Sequence, residues 1–348
     1  MRIVVRPADL VKDREVLIET LRRYLIPQSN ASRFDWLYQN NPWGAARAWL
    51  AFDLDTEEAM GMGSAFPRRF YTPAGVTTGF VLGDFCVSDQ YRSLGPALQL
   101  QRACLDIVTE ETNTFCYDFP STQMMAVYKR LRIGPIAQMV RLAKPLRIDQ
   151  KVRAVMNAPV LTQAFSTVGN WVLALQDYAL TQRRPRFLQI AMHHGACGEE
   201  FSQLAEATGC RYGVCLQRSA AYINWRYIGN PLGRYEIVTA RAENVLLAYA
   251  VFTFDGKEGT LVDLFFGKDH TVVRFLLDEV VAILRTRGAA TIQTAVIAPH
   301  TWVGLLQQKG FRLRESRPIV IYAPPESALP LSEAADGGWL LLYGDRDS

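Results

Sequence analysis

The chain carries the same passage twice. Residues 34–44 read FDWLYQNNPWG and residues 223–233 read INWRYIGNPLG. Aligned on Trp36 and Trp225, the pairs Tyr38/Tyr227, Asn41/Asn230, Pro42/Pro231 and Gly44/Gly233 coincide as well. A β-like run and then a helix-like run precede each passage: Arg2–Arg6 and Glu15–Leu21 in one case, Arg186–Met192 and Glu199–Ala205 in the other. After each come β-type runs that end on an acidic residue, at Gly79–Asp84 and at Thr260–Asp263. The offset drifts elsewhere, which implies insertions. Repetition on this scale constrains the fold more than composition does, because both copies must be satisfied by one supersecondary plan. The plan is an α+β unit. The expected division is an N-terminal domain over 1–147, a helical linker over 148–185, a C-terminal domain over 186–325 and a tail over 326–348 that docks on the body.

A chain of 348 residues suits two domains. With 49% hydrophobic and 21% charged residues, wholesale disorder is excluded. Lys plus Arg number 38 against 34 for Asp plus Glu, and a net charge of +4 is too mild for a nucleic-acid binder. It leaves an acidic or phosphate-bearing ligand open. The six cysteines form no C-x-x-C pair and read as free thiols of a reducing compartment. His193, His194, Cys197, Cys210 and Cys215 match none of the usual zinc spacings, so no metal is expected. No run is apolar for the length of a membrane span, and the N-terminus lacks a signal-peptide core. The expected location is cytoplasmic. Oligomeric state is not legible.

Along the first copy the pattern predicts strands at 2–6, 47–53, 59–67, 76–88, 114–119 and 136–143, with helices over 13–24, 96–110 and 122–131. The 96–110 helix is the clearest. Ala97, Leu100, Cys104, Ile107 and Val108 share one face, and Pro96 stands where the first helical residue can spare its N–H.

Chemistry concentrates between Val81 and Leu98, where an apolar strand, a short polar turn with Arg92 and Gly95, and a helix follow one another. The N–H groups and dipole of such a helix start favour an anion. Arg92-Ser93-Leu94-Gly95-Pro96-Ala97 resembles the R/Q-x-x-G-x-G/A loop of the GCN5-related N-acetyltransferase (GNAT) family. The resemblance implies two tandem GNAT domains, each a mixed, mostly antiparallel sheet flanked by helices. It implies an acyl-CoA, with acetyl-CoA the expected donor. The pyrophosphate would lie on Arg92–Ala97 and the pantetheine arm along a bulged strand at Phe85, Cys86 and Val87. Ala126–Ile133 is similar to the family's A-x-Y-x-x-x-G-F helix end, which puts Tyr128 by the CoA sulfur as the acid that protonates the leaving thiolate. Two positions depart from the pattern. Pro96 lacks one N–H, and Arg132-Ile133 stands for Gly-Phe.

In the second copy, alignment on Asp84/Asp263 sets Thr271 opposite Arg92 and Arg274 opposite Gly95, and an offset shorter by one sets Leu306 opposite Tyr128. That copy keeps Gly310-Phe311 and loses the rest, so it is expected to be a degenerate domain, either structural or forming one wall of the substrate cleft. Acyl transfer needs help in deprotonating the amine. Asp84, at the end of an apolar strand, is the candidate base, with Asp118 and Ser121 as further cleft candidates. The recurring Trp and Tyr residues read as packing. The function so implied is acyl-CoA-dependent N-acyl transfer, by direct attack, to a primary amine of a small molecule or amino sugar. The alternatives are a non-catalytic acyl-CoA-binding or interaction protein on the same scaffold, and an aminoacyl transferase of the peptidoglycan-bridge type.

Overall fold

The structure, a computed structural model, describes residues 3–91, 94–110, 114–149, 167–171, 175, 183–267, 269–324, 326–327 and 329–346. The predicted linker helix over 148–185 falls mostly outside the described residues, as do Arg92 and Ser93.

Ten elements occur in the first copy and recur in the same order in the second. The first runs β1 (Ile3–Pro7), α1 (Arg14–Tyr24), α2 (Ala31–Phe34), β2 (Arg47–Asp53), β3 (Ala59–Thr72), β4 (Gly75–Val87), α3 (Leu94–Leu105), β5 (Thr114–Asp118), α5 (Thr122–Arg130) and β6 (Ala137–Pro145). A short turn, α4 (Ile107–Glu110), prolongs α3 after a break at Asp106. The second runs β7 (Leu188–His193), α6 (Glu199–Thr208), α7 (Ala220–Ile223), β9 (Glu236–Ala242), β10 (Val245–Phe254), β11 (Glu258–Phe266), α8 (His270–Thr286), β12 (Thr291–Ala298), α9 (Thr301–Gln308) and β13 (Arg312–Tyr322), with a short extra strand β8 (Val214–Leu216). The tail adds β14 (Trp339–Leu340), parallel to β8. No described helix is long and apolar enough to cross a membrane.

Strand β3 outruns its predicted end at residue 67 although Pro67 has no N–H to give a ladder. Its pairing with β2 ends at Ala65 and its pairing with β8 begins at Phe70, so the proline lies in the gap between these two partners on one edge, with β4 on the other. Helix α3 starts at Leu94, which places Gly95 and Pro96 inside its first turn.

The two copies do not close their sheets separately. Strand order is β1-β2-β3-β4-β5-β13-β6-β12-β11-β10-β9-β7. The last strand of the second copy, β13, pairs with β5 of the first, and the last strand of the first, β6, pairs with β12 of the second. The two exchanged strands also pair antiparallel with each other. Arg141 of β6 ties the exchange together, donating to Glu315 of β13 at 2.6 Å and to Gln293 of β12 at 2.9 Å.

The repeated passage sits at the second junction. In both copies it forms a π-helical turn, Asp35–Gln39 after α2 and Asn224–Ile228 after α7, and in both a capping side chain starts the helix, Asn30 or Ser219. Trp36 and Trp225 stack with centroids 5.1 Å apart, and each indole N–H donates to the other's backbone carbonyl, at 2.8 and 2.9 Å. The pair is reciprocal and buried, so these tryptophans join the copies.

Candidate functional site

Strands β4 and β5 are hydrogen-bonded only from Thr78 to Val81 against Thr114 to Tyr117. Past that point they diverge, and a cleft of about 600 Å³ opens between them. Leu82–Val87 form one wall and Asp118–Pro120 the other, with Ala97, Gln101 and Cys104 of α3 and Met124 and Val127 of α5 closing the sides. Arg346 of the tail completes the lining.

Where β4 enters the cleft it bulges. Ser64 pairs with Gly83 and Met62 with Cys86, so Asp84 and Phe85 oppose Gly63 alone. Asp84 takes a left-handed φ of 49° there. Gly63 is obligatory opposite the bulge, since a Cβ would come 2.8 Å from Cys104 Sγ and 3.1 Å from the Phe85 ring. The bulge thus begins just ahead of the predicted Phe85–Val87 and leaves the strand's cleft-side edge unpaired.

The geometry of Asp84 calls for a correction to its candidate role as base. Its side chain is almost fully buried, and both oxygens are taken by Arg33 at 2.8 Å. Tyr38 donates a further hydrogen bond at 2.7 Å. A base needs a lone pair free to meet the amine, and both oxygens of Asp84 are already engaged by Arg33 and Tyr38. Asp84 is therefore a positioning residue that pins β4 to α2. The second copy repeats the device: Asp263 accepts from Arg218 at 2.9 Å and from Tyr227, the counterpart of Tyr38, at 3.1 Å.

Tyr128 lies one layer behind the cleft wall. Its hydroxyl donates to Asp118 at 2.7 Å and accepts from Gln101 at 3.0 Å. Burial, then the Asp118 charge, hold its pKa well above that of an ordinary tyrosine. Its proton is committed to Asp118 and its ring does not line the cleft, so the hydroxyl does not meet the leaving sulfur directly, which corrects the role of thiolate-protonating acid. The carboxylate that faces the cleft is Asp118, which is partly exposed. Ser121 also lines the cleft, and its Oγ caps α5 by accepting from Met124 N–H at 3.2 Å. The Cys86 thiol is pushed up to about 12 by burial, which leaves it inert as a nucleophile.

Of the predicted cofactor loop, Arg92 and Ser93 lie outside the described residues. Gly95 is exposed on the first turn of α3, Pro96 is buried and Ala97 faces the cleft. Counted from the helix starts, Gly95 matches Thr271, and the alignment that set Arg274 opposite it is shifted by one helical turn. Helix α3 starts ten positions after Asp84, whereas α8 starts seven positions after Asp263. The second copy therefore lacks the longer turn. At the other helix end the sequence alignment agrees with the geometry. Tyr128 and Leu306 each accept the 6→1 hydrogen bond that closes the helix, from Ile133 and Phe311. The left-handed residue of that motif is Arg132 (φ 62°) in one copy and Gly310 (φ 85°) in the other.

The second copy's own splay is filled. β11 and β12 pair only over Glu258–Thr260 and Thr291–Gln293, and the tail enters the gap beyond. Leu342 bridges to Val296, Leu341 accepts from Ile297 N–H at 2.9 Å, and β12's opposite edge is already occupied by β6. Asp345 accepts from Arg218 at 2.9 and 3.0 Å, so the tail's carboxylate shares the cation that holds Asp263. A Cβ on Gly344 would collide with the Tyr227 hydroxyl and with Val262 O, which shows how closely the tail fits.

A parallel pair splays beside a bulged strand in each copy, after four paired residues at β4/β5 and three at β11/β12, and the whole chain superposes on solved structures. The fold is that of the GCN5-related N-acetyltransferases. A probable N-acyltransferase of unknown function from Enterococcus faecalis superposes with a TM-score of 0.67 at 8% identity, over 92% of this chain and 72% of that one. A GCN5-related N-acetyltransferase from Anabaena variabilis gives 0.64 at 12% identity over the same shares. A putative acetyltransferase from Pyrococcus horikoshii gives 0.53 at 14%, over 99% of this chain and 94% of that one. No family model matches the chain, and no curated protein matches it by sequence. At such identities the likeness is one of GNAT fold, carried by backbone geometry.

Proposed function

We propose that the chain is an acyl-CoA-dependent N-acyltransferase with its working site in the N-terminal copy, moving an acetyl group to a primary amine. The observation that carries this reading is the contrast between the splays, open at β4/β5 and filled at β11/β12. The pyrophosphate of acetyl-CoA is assigned to the turn Arg92–Ala97 at the start of α3, where N–H groups and dipole favour an anion. The pantetheine arm is assigned to the unpaired backbone of Phe85, Cys86 and Val87. The amine nitrogen attacks the thioester carbonyl carbon directly, a C–N bond forms and the C–S bond breaks. Asp118 takes the amine proton, directly or through water, and returns it to the leaving thiolate. Tyr128 and Gln101 orient Asp118 from behind.

The test is thermal unfolding with acetyl-CoA, followed by thiol release over a panel of amines. Saturation at about 100 times Kd stabilises a protein by roughly 2.7 kcal/mol. A shift of several degrees is expected for the native chain and none for Gly95→Glu, which sets a carboxylate against the pyrophosphate. Asp118→Asn is expected to keep the shift and lose turnover at least a hundredfold. No shift at millimolar acetyl-CoA or longer acyl-CoAs sinks the reading. A shift without turnover of any amine supports the alternative of a non-catalytic acyl-CoA-binding protein, which the missing N–H of Pro96 favours.

A further inference from the structure

One charged group of the cleft has no part in the transfer chemistry. Arg346 reaches the cleft wall from the tail, and its guanidinium lies over the rings of Phe119 and Tyr343, 5.4 and 5.8 Å from their centres. Its own backbone carbonyl accepts from Arg226 at 3.0 Å, and the preceding Asp345 is anchored by Arg218. Aromatic faces and main-chain bonds therefore hold the side chain in place. Among the described residues no carboxylate pairs with it. The other charges lining the cleft are Asp84, matched by Arg33, and Asp118, bonded to Tyr128. A guanidinium stacked on rings keeps its in-plane N–H donors for an anion, which it meets best as a two-oxygen edge of carboxylate or phosphate.

Its position assigns the anion to one substrate. Helix α3, whose first turn is the proposed pyrophosphate seat, packs over β1, β2, β3 and β4 and against α5. Arg346 arrives instead at the β5 wall, from the second copy's side of the shared sheet. We infer that Arg346 recognises a carboxylate or phosphate on the amine acceptor, so that the acceptors are amino acids or phosphorylated amines in preference to simple amines. The inference rests on the acyltransferase reading of the cleft.

The experiment uses the full chain, acetyl-CoA and acceptors paired by their anionic group: L-ornithine with putrescine, L-phenylalanine with phenethylamine, phosphoethanolamine with ethanolamine, glucosamine 6-phosphate with glucosamine. For at least one pair, kcat/KM for the anionic member is expected to exceed that of the neutral one by about tenfold to a hundredfold, the usual worth of a charge-assisted hydrogen bond. The amino-acid and phosphate pairs separate the two sources of the anion. In Arg346→Ala the ratio within the pair falls toward one through KM, and Arg346→Lys restores part of it. The fold is spared because the tail is held by Asp345 and by main-chain atoms. Equal or better use of neutral members, or an equal loss for both members in Arg346→Ala, overturns the inference. If no amine is turned over, calorimetry of the same probes decides: anionic members that bind no more tightly than neutral ones, or equally to Arg346→Ala, overturn it. Loss of the acetyl-CoA shift is a separate result, and it sinks the acyltransferase reading instead.

Discussion

The two copies answer the same geometric problem in opposite ways. Each has a parallel strand pair that splays and leaves a backbone edge unpaired, a liability in any sheet. The second copy satisfies that edge with its own tail, down to a carboxylate that shares Arg218 with Asp263. The first leaves about 600 Å³ unfilled and lines it with Asp118, Gln101 and Arg346. The lesson is that an unfilled space, beside a filled twin of the same construction, points to a ligand more firmly than the space would alone.

The sharpest way to break the comparison is at the buried acids. Asp84→Ala leaves Arg33 buried without its carboxylate and is expected to cost about 3–5 kcal/mol, read from the denaturant midpoint at constant slope. Asp345→Ala leaves Arg218 still paired with Asp263 and is expected to cost less, on the order of 2 kcal/mol. Equal losses would show that the tail is as integral to the second copy as Arg33 is to the first.

A smaller effect separates the helix caps. Ser121 caps α5, whereas His300 Nδ1 caps α9, accepting from Trp302 N–H at 3.2 Å. Burial lowers the His300 pKa from 6.5 to about 4. Between those values the unfolded chain binds the extra proton, so the stabilising contribution is complete above pH 6.5 and drains away as pH falls to 4. The loss is on the order of 3 kcal/mol when complete. His300→Ser, which copies the first repeat's cap, is expected to flatten that part of the stability–pH profile. A profile unchanged by the substitution would assign the acid limb to other groups.

The smallest difference lies at the helix ends. Arg132 holds a left-handed backbone that Gly310 holds in the twin motif. Arg132→Gly is expected to raise stability by about 0.5–1 kcal/mol, visible as a rise in Tm of a few degrees at most. A fall would mean that the arginine side chain contributes more than its backbone strain removes.

What was legible in the chain was local. Alternation and helical spacing located the strands and helices of the first copy, and the FDWLYQNNPWG passage announced the duplication. The exchange of β6 and β13 was not legible, because each strand reads alike whichever β5-like neighbour it joins. The pairing of Arg33 was not legible for a related reason. A buried acid at the end of an apolar strand demands a cation, but nothing local selects a residue 51 positions earlier. The helix-start register was misjudged because an alignment anchored on Asp84 and Asp263 carries across a turn that is longer in the first copy. Tyr128 was found by motif, while its distance from the cleft depends on Gln101 and Asp118, which come from other elements.

The exchanged strands also bear on how the chain is made. By the time β6 leaves the ribosome, every other element of the first copy has been synthesised, yet the outer edge of β5 still waits for β13. From the end of β6 at Pro145 to the end of β13 at Tyr322, roughly 180 further residues must be translated before that strand exists, about 10–35 s at common elongation rates. Throughout that interval the nascent N-terminal half presents an unfinished edge, and the Trp36 indole has no partner carbonyl. The two halves are thus obliged to mature together, each as the last part of the other, and a truncation at the repeat boundary would leave two unfinished sheets in place of two domains.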